Sequence, residues 1–221
     1  MHPHDEKHTA HDHEAVYEQV PPDYWDTSYK WNLLQRVYHD WRFFVLRRML
    51  RNVPRNGKVL DVGCGGGFSA EMTFRDRKDL EVHGIDVTDE LIAYAKRMRP
   101  QYHFQKSAGE TLPFPNDTFD AVFYLDVIEH LIDPAASLRE AKRVLKSGGS
   151  LVVLVVQEHH PVFRFIWWLW LKLKGKVWHE AHLHIFDRRS VTKMIKEAVF
   201  RVVEIKPVHL GMSVAVRAVK Y

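Results

Sequence analysis

The sequence predicts an α/β domain with a doubly wound, mostly parallel sheet of seven strands that ends in an antiparallel hairpin strand. Three observations support this fold class. Short apolar runs alternate with helical segments from Lys58 onward, and a glycine-rich turn joins the first run to its helix. The chain has 221 residues, 46% of them hydrophobic, which suffices for one core. Strands connected by helices favour parallel pairing through right-handed crossovers.

The N-terminal region divides into a tail and a helix. Residues 1–22 are polar and His-rich, so we expect a disordered tail ahead of one domain over residues 23–221. A solvated tail is favoured over loose metal binding by its histidines. From Trp31 to about Asn52, apolar residues recur at helical spacing and predict an amphipathic helix that covers the domain. This predicted apolar stripe consists of Leu33, Leu34, Val37, Trp41, Phe44 and Val45.

The remaining elements alternate along the chain. The predicted strands are Lys58–Val62, Glu81–Asp86, Tyr102–Lys106, Phe119–Asp126, Ser150–Val156, Val202–Val208 and Ser213–Val219. The predicted helices are Phe68–Arg77, Thr88–Arg99, Ala135–Leu145 and Asp187–Val199. Thr88 is a suitable N-cap, Pro134 suits a helix start, and Gly148 with Gly149 suits a helix end.

Residues 155–185 interrupt this alternation and are predicted to be an insertion that contacts the substrate. Its segment 162–178 is rich in aromatic and basic residues, and its apolar run, 165–171, is far too short to span a bilayer. Two interpretations stay open. The segment could lie on an anionic membrane and admit a lipidic acceptor, or it could be a lid packed on the N-terminal helix that contains Trp41. Either interpretation favours an apolar or aromatic acceptor.

Composition limits the function classes. The single cysteine, Cys64, excludes an internal disulfide and a multi-cysteine zinc site, and fits the cytoplasm, with membrane association as an addition. The net charge of +4 does not come with a concentrated basic face, so a nucleic-acid partner is disfavoured. The sequence leaves the oligomeric state open.

The glycine-rich turn suggests a nucleotide-type ligand. Gly63, Gly65 and Gly67 follow a strand and open a helix, where backbone amides can approach a ligand closely. A dinucleotide site prefers glycine at the next position of the pattern, which here is Phe68, so a nicotinamide cofactor is disfavoured. Asp86 lies 19 residues after Gly67, at the end of the second strand, where a carboxylate can accept hydrogen bonds from both ribose hydroxyls.

Six ordered runs carry a resemblance to a known family. The runs are 59–67, 84–86, 109–115, 119–122, 126–131 and 143–149. Together they resemble the class I S-adenosylmethionine (SAM)-dependent methyltransferases, in the branch with the ubiquinone-biosynthesis O-methyltransferases and the type 11 domains. The resemblance implies a Rossmann-like fold and SAM as the cofactor.

The resemblance also implies roles for individual residues. Asp61 and the backbone of Gly63, Cys64 and Gly65 would hold the methionine part of SAM. Asp86 would bind the ribose hydroxyls and Val87 would pack on adenine. Ala108 and Gly109 occupy the place where the family often has Asp-Ala, and alanine cannot accept a hydrogen bond from the adenine amino group. Leu125 and Asp126 would line the floor beneath the methionine.

Asp126, Glu129 and His130 form a second candidate cluster. In a helix, positions i, i+3 and i+4 share one face, so these side chains could hold a divalent metal ion, with His182 as a fourth ligand. A similar pattern binds metal in the small-RNA 2′-O-methyltransferases and in some ubiquinone O-methyltransferases. Two alternatives are that His130, with Glu129, acts as a base or orients the acceptor, and that the cluster is structural.

The sequence therefore predicts an enzyme that transfers a methyl group to a small apolar, aromatic or lipid-like acceptor, with oxygen as the preferred target. Absence of an obvious nucleophile is no objection, because in-line methyl transfer depends mainly on positioning. The alternatives are a metal-assisted RNA 2′-O-methyltransferase and a SAM-binding regulatory protein without catalysis. RNA would require a basic cleft, but the basic residues here are interleaved with tryptophan.

Overall fold

A computed structural model of the chain describes residues 21–161 and 183–221. The predicted tail, apart from Pro21 and Pro22, lies outside the described residues. So do His182 and the aromatic segment 162–178. No helix in the described part of the chain is long and apolar enough to cross a membrane.

A seven-stranded sheet forms the centre of the fold. Its strands are β1 (Lys58–Val62), β2 (Glu81–Asp86), β3 (His103–Lys106), β4 (Phe119–Leu125), β5 (Leu145–Val156), β6 (Arg201–Val208) and β7 (Ser213–Val219). They are ordered β3-β2-β1-β4-β5-β7-β6. Strands β1 to β5 pair in parallel, and β7 runs antiparallel to both β5 and β6. This topology confirms the predicted fold class.

The helices cover both faces of this sheet. They are α1 (Tyr24–Trp31), α2 (Leu33–Met49), α3 (Phe68–Phe74), α4 (Asp89–Met98), α5 (Pro134–Val144) and α6 (Arg188–Glu197). Local sequence explains their starts: the Asn32 side chain accepts from the amides of Leu34 and Gln35, and Asp187 forms a capping box with Ser190.

Apolar side chains bury both faces of the central strands. In β4, Phe119, Ala121, Val122, Phe123 and Tyr124 are all fully buried. Parallel strands covered on both faces need such continuous apolar runs. Strand order reverses between β1 and β4, so the carboxyl ends of these strands form the crevice where a ligand binds in this type of fold.

Helix α2 forms as predicted but packs through a different face. Most of the predicted stripe is exposed, namely Leu33, Leu34, Val37, Trp41 and Phe44. The buried face consists of His39, Arg42, Phe43, Val45, Leu46 and Met49. Both sets recur at helical spacing, and in the buried set Arg42 pairs with Asp126 at the end of β4, which compensates its burial.

The glycines after α5 also differ from expectation. Gly148 and Gly149 lie within β5, which begins directly after the helix at Leu145. The register with β4 shifts between Phe119 and Ala121, and Gly148 has a φ of 78°. The glycine pair thus supports an irregularity in the strand and does not end the helix.

Candidate cofactor and acceptor site

The glycine turn after β1 combines close packing with open space. Gly63, Gly65 and Gly67 have φ angles of 72°, 51° and 81°. A Cβ at Gly63 would meet the Val127 side chain at 2.5 Å, so glycine is needed here for the segment after β4 to pack against the turn. A Cβ at Gly65 would meet nothing within 4 Å in the described structure. Gly65 therefore borders space that a ligand can fill.

The amides of this turn bond within the protein. Gly63 and Cys64 donate from their backbone nitrogens to the Ile85 carbonyl, both at 2.9 Å. Gly65 donates to Asp86 Oδ2 at 2.8 Å. These bonds fix the turn to the end of β2. The amides of these three residues are therefore engaged within the protein, and contact of this backbone with a cofactor stays a prediction.

Asp61, near the end of β1, supplies a buried acceptor. Its side chain is fully buried, and one carboxylate oxygen accepts from the Ser69 hydroxyl. The other oxygen, Oδ1, has no hydrogen-bond partner among residues 21–161 and 183–221. Burial raises the pKa of Asp61 to about 8, with a further upward contribution from Asp86. A buried acceptor of this kind fits the ammonium group of an amino-acid ligand such as the methionine part of SAM.

Asp86 is held in a fixed orientation at the end of β2. Its two oxygens accept from the amides of Gly65, at 2.8 Å, and Thr88, at 3.0 Å. Burial nevertheless raises the pKa of this carboxyl group. Each oxygen has a second lone pair, so the carboxylate retains acceptor capacity for two hydroxyl groups. Val87, directly after it, is 39% exposed and offers an apolar surface beside that position.

Ala108 and Gly109 lie after β3 on the same side. The Ser107 amide donates to the Asp86 carbonyl at 3.0 Å, which brings Ala108 beside the end of β2. Gly109 is buried, and a Cβ there would lie 2.9 Å from Ser137 Oγ. Ala108 provides apolar contact but no side-chain acceptor.

Cys64 is buried and burial raises the pKa of its thiol, which indicates a packing role for this side chain.

The segment after β4 does not form the helical face expected for Asp126, Glu129 and His130. Asp126 has a φ of 51° and its carboxylate forms an ion pair with Arg42. Only Ile128–His130 adopts a helical turn, of the 3₁₀ type, with Glu129 buried and His130 partly exposed. Asp126 precedes this turn, so the i, i+3, i+4 relationship of an α-helix does not apply to it.

The structure gives the metal hypothesis no direct support. Within residues 21–161 and 183–221, no three His, Cys, Asp or Glu side chains are grouped as metal ligands. Arg42 is a cationic partner of Asp126, the first predicted ligand. The metal site of Asp126, Glu129, His130 and His182 stays a prediction.

Four residues that sequence reasoning missed are linked to one another next to Asp126, and Arg42 is the one that pairs with its carboxylate. Arg42 lies with its Nη1 3.4 Å from His39 Nδ1 and its guanidinium 5.3 Å from the Tyr38 ring centroid. The Tyr38 ring stacks on His209 with their centroids 4.0 Å apart, and His209 Nε2 donates to the Tyr38 carbonyl at 2.9 Å.

Burial lowers the pKa of His39 to about 3 and that of His209 to about 4, so both imidazoles are neutral near pH 7. The sequence signal for His39 and Arg42 was the second helical stripe, in which they share a face with Leu46 and Met49.

The chain returns from the predicted insertion directly at this site. The amides of Leu183 and His184 both donate to the Glu129 carbonyl at 3.0 Å. On the outgoing side, the Gln157 side chain donates to the Gly211 carbonyl at 2.6 Å and accepts from the Arg188 amide at 2.9 Å. The return of the insertion is thus fixed to the 3₁₀ turn that carries Glu129 and His130. The predicted bounds, 155–185, stay a prediction.

Comparisons with known proteins agree with this geometry. A family model described as a methyltransferase domain matches residues 60–153. A ubiquinone/menaquinone biosynthesis C-methyltransferase of Geotalea daltonii is 29% identical over 57% of this chain and 57% of its own length. A ubiquinone biosynthesis O-methyltransferase of Alkalilimnicola ehrlichii is 27% identical over 72% of this chain and 65% of its own. The chain thus spans less than two thirds of either relative.

A solved structure extends the similarity of fold. A SAM-dependent methyltransferase from Aquifex aeolicus superposes with a TM-score of 0.68, at 21% identity, over 95% of this chain and 99% of its own. The sheet order, the glycine turn and the two carboxylates define a class I SAM-dependent methyltransferase, and the chain belongs to that class. Within it, the chain is related to the ubiquinone and menaquinone methyltransferases. SAM is the cofactor of this class, and the buried Asp61 oxygen fits it.

Proposed function

We propose that the protein transfers a methyl group from SAM to an oxygen of a small apolar, aromatic or lipid-like acceptor. The main support for SAM as the methyl donor is the buried Asp61 Oδ1 beside the glycine turn. Relatives named for quinone biosynthesis support an acceptor of this chemistry. Their names include both a C- and an O-methyltransferase, so the choice of oxygen rests on the residues around Asp126.

The chain's residues would hold the cofactor as follows. Asp61 accepts from the ammonium group, with carbonyl oxygens of Gly63 and Gly65 as further acceptors. Asp86 accepts from the ribose hydroxyls, while Val87 and Ala108 give apolar contacts to adenine. Leu125 and Asp126 lie beneath the methionine part. When bound, SAM supplies an electrophilic methyl carbon.

The acceptor would lie between the 3₁₀ turn and the buried face of α2. There it would meet the Arg42–Asp126 ion pair and the stacked rings of Tyr38 and His209. Aromatic rings beside a charge-compensated ion pair suit a flat apolar molecule that carries one hydroxyl group. Arg42 compensates the charge of Asp126, so an uncharged acceptor meets no unbalanced carboxylate there.

His130 would accept the hydroxyl proton as the acceptor oxygen forms its bond to the methyl carbon. The electron pair of the broken carbon–sulfur bond stays on sulfur, and the proton passes from His130 to water. His130 is partly exposed, which allows this exchange with solvent. Glu129 is buried beside it and its carbonyl is held by two amides, so Glu129 would fix the turn that positions His130.

Transfer of labelled methyl groups tests the proposal. The protein is incubated with methyl-labelled SAM and with small-molecule, lipid and RNA fractions, with and without chelator. We expect label in small-molecule or lipid products. Label confined to RNA would overturn the acceptor class, and binding of SAM without transfer to any fraction would favour a non-catalytic role. Loss of transfer on chelation would support the metal site, and chelator insensitivity would remove it.

Variants test the role of His130. With an accepted substrate, His130→Ala should lower kcat by about 10²-fold or more, the usual contribution of general-base catalysis. It should also remove an ionisation from the pH profile of kcat while SAM affinity is retained. His159→Ala, at an exposed histidine, is the matched control. An unchanged pH profile in His130→Ala would contradict the role.

Contact of residues 162–178 with a membrane, or with α2 as a lid, stays a prediction from sequence. So does a cytoplasmic location. Shortening this segment to a flexible linker and measuring KM for an apolar acceptor would test its part in acceptor binding.

A further inference from the structure

We propose that the exposed side of α1 and α2 is a docking surface for an anionic lipid bilayer. We call this side the outward face; it comprises Trp31, Leu33, Leu34, Val37, Trp41 and Phe44. Trp31 is 76%, Leu34 82% and Trp41 55% exposed. Exposed apolar patches of this kind mark interaction sites when they are contiguous, whereas single apolar residues on a surface are ordinary.

The spacing makes the outward face contiguous. Leu34, Val37, Trp41 and Phe44 follow one another at intervals of three, four and three residues, so they line one side of the helix over about 15 Å. The helix does not need these residues for its own packing, because the opposite side already buries Phe43 and Leu46 in the domain. Among residues 21–161 and 183–221, the outward face is therefore apolar beyond the needs of packing.

Exposed cations flank this apolar stripe at both of its ends. The exposed basic residues from the end of α1 to just beyond α2 are Lys30, Arg36, Arg48 and Arg51. Over the same span the exposed acidic residue is Asp40, and it accepts a hydrogen bond from the Tyr29 hydroxyl at 2.6 Å. The Lys30 ammonium lies 4.9 Å from the Trp31 ring centroid. Apolar residues with interfacial tryptophans and flanking cations suit a helix that lies at the surface of an anionic membrane.

Charge also distinguishes lipid from a second copy of the chain. The three-four-three spacing would suit helix pairing, but Arg48 continues the stripe four residues after Phe44, so two outward faces in contact would bring the Arg48 cations of both copies into the interface. Like charges at such an interface are unfavourable, whereas anionic headgroups are complementary to them. We therefore assign the surface to lipid.

The other side of the same helix reaches the proposed acceptor site. Arg42, on the buried face, contacts Asp126. Trp41, the residue before it, is exposed on the outward face. Docking through the outward face would place that site next to the lipid phase, where apolar acceptors concentrate. The docking surface itself does not depend on methyl transfer.

Vesicle co-sedimentation of the full chain tests this surface. The vesicles are pure phosphatidylcholine, or phosphatidylcholine with about 30% phosphatidylglycerol as the anionic lipid. We expect binding to the anionic vesicles that weakens with salt. The double variant Trp41→Glu with Phe44→Glu should bind at least about tenfold more weakly. Met98→Glu with Ile132→Glu, at two exposed apolar residues elsewhere, is the matched control and should bind like the wild type.

A second pair of variants tests the cations. Arg48→Gln with Arg51→Gln should lower affinity for anionic vesicles and reduce its salt dependence. Arg188→Gln with Arg189→Gln removes two cations at the start of α6 and should leave both unchanged. A thermal shift with S-adenosylhomocysteine, the demethylated product of SAM, shows that each variant is folded and separates loss of docking from failure of the proposed function.

Three results would overturn the proposal. The wild type could fail to bind anionic vesicles. Trp41→Glu with Phe44→Glu and Arg48→Gln with Arg51→Gln could both bind as tightly as the wild type, which would place membrane contact elsewhere on the chain. Light scattering could also reveal a dimer that Trp41→Glu with Phe44→Glu dissociates while no vesicle binding occurs, which would assign the outward face to a second copy.

Discussion

Arg42 of α2 forms an ion pair with Asp126, which lies 84 residues later at the end of β4. Arg42 is 5% exposed, so the pair fixes a helix outside the sheet to the strand end where the site lies. The Arg42 guanidinium also lies 5.3 Å from the Tyr38 ring centroid, and that ring stacks on His209.

Replacing Arg42 by Met should destabilise the protein by about 3 kcal/mol, because Asp126 loses its cation in a largely buried place. The measurement is the free energy of unfolding from urea titration. Asp126→Asn and the double variant complete a double-mutant cycle. In this cycle, Asp126→Asn should lower the free energy of unfolding much less in the Arg42→Met background than in the wild type. Additive effects would show that the two residues are not energetically coupled.

Gly65→Ala and Gly148→Ala should have the same effect on stability but different effects on cofactor binding. Both glycines have positive φ, at 51° and 78°, and neither Cβ would meet a described atom within 4 Å. Each change should therefore cost about 1–2 kcal/mol through backbone conformation alone. Only Gly65→Ala should lose affinity for S-adenosylhomocysteine in calorimetry, because Gly65 borders the ligand space. Equal affinities in the two variants would place the cofactor elsewhere.

Asp61 should make both stability and cofactor affinity depend on pH. Its pKa of about 8 in the folded chain exceeds the ordinary value of 3.8, so the folded state binds the proton more tightly. The stability that this proton contributes is complete below about pH 4 and is lost as pH rises through about 8. An ammonium ligand requires the carboxylate, so affinity for S-adenosylhomocysteine should rise by up to about tenfold per pH unit towards pH 8.

The control for this prediction is Asp61→Asn. It should bind the ligand weakly at every pH and should lack the decline in stability towards pH 8. Calorimetry in buffers of different ionisation enthalpy should detect proton release on binding to the wild type at neutral pH. A wild-type affinity that is flat between about pH 6 and 8 would contradict the role of Asp61.

His39 should make the fold sensitive to acid. Burial lowers its pKa from 6.5 to about 3, so the unfolded chain takes up a proton first as pH falls below 6.5. Each pH unit below that value should cost up to about 1.4 kcal/mol from this residue. His39→Phe, beside Trp25 and Phe43, should lose less thermal stability between about pH 7 and 5 than the wild type or the exposed variant His159→Phe. Parallel losses in all three proteins would assign the acid sensitivity to other groups.

Local signals predicted most of the sheet and the positions of the two carboxylates at its strand ends. Apolar runs ended by glycine or aspartate mark β1 and β2, and parallel pairing of these strands places Asp61 and Asp86 at the same edge of the sheet. The face of α2 was not predictable in the same way. Two stripes share the helical period, and the more hydrophobic one, with Leu34 and Trp41, is the one left exposed.

The acceptor half depends on contacts that spacing alone does not reveal. The expectation for Asp126, Glu129 and His130 assumed one continuous α-helix, whereas a left-handed backbone at Asp126 and a short 3₁₀ turn separate them. Tyr38 and His209 lie 171 residues apart in sequence, and His209 is carried by the turn between β6 and β7, which tertiary packing brings to α2. Their stacking has no local sequence signal.

The carbonyl of Glu129 holds the amides of Leu183 and His184, so the chain is fixed to the cofactor side of the domain at Leu183. The entropy of closing a loop between two fixed ends grows slowly with loop length. The chain can therefore gain, lose or exchange residues within 162–182 at little cost to the cofactor half. Selection for a new acceptor can act on this segment while Asp61, the glycine turn and Asp86 stay unchanged.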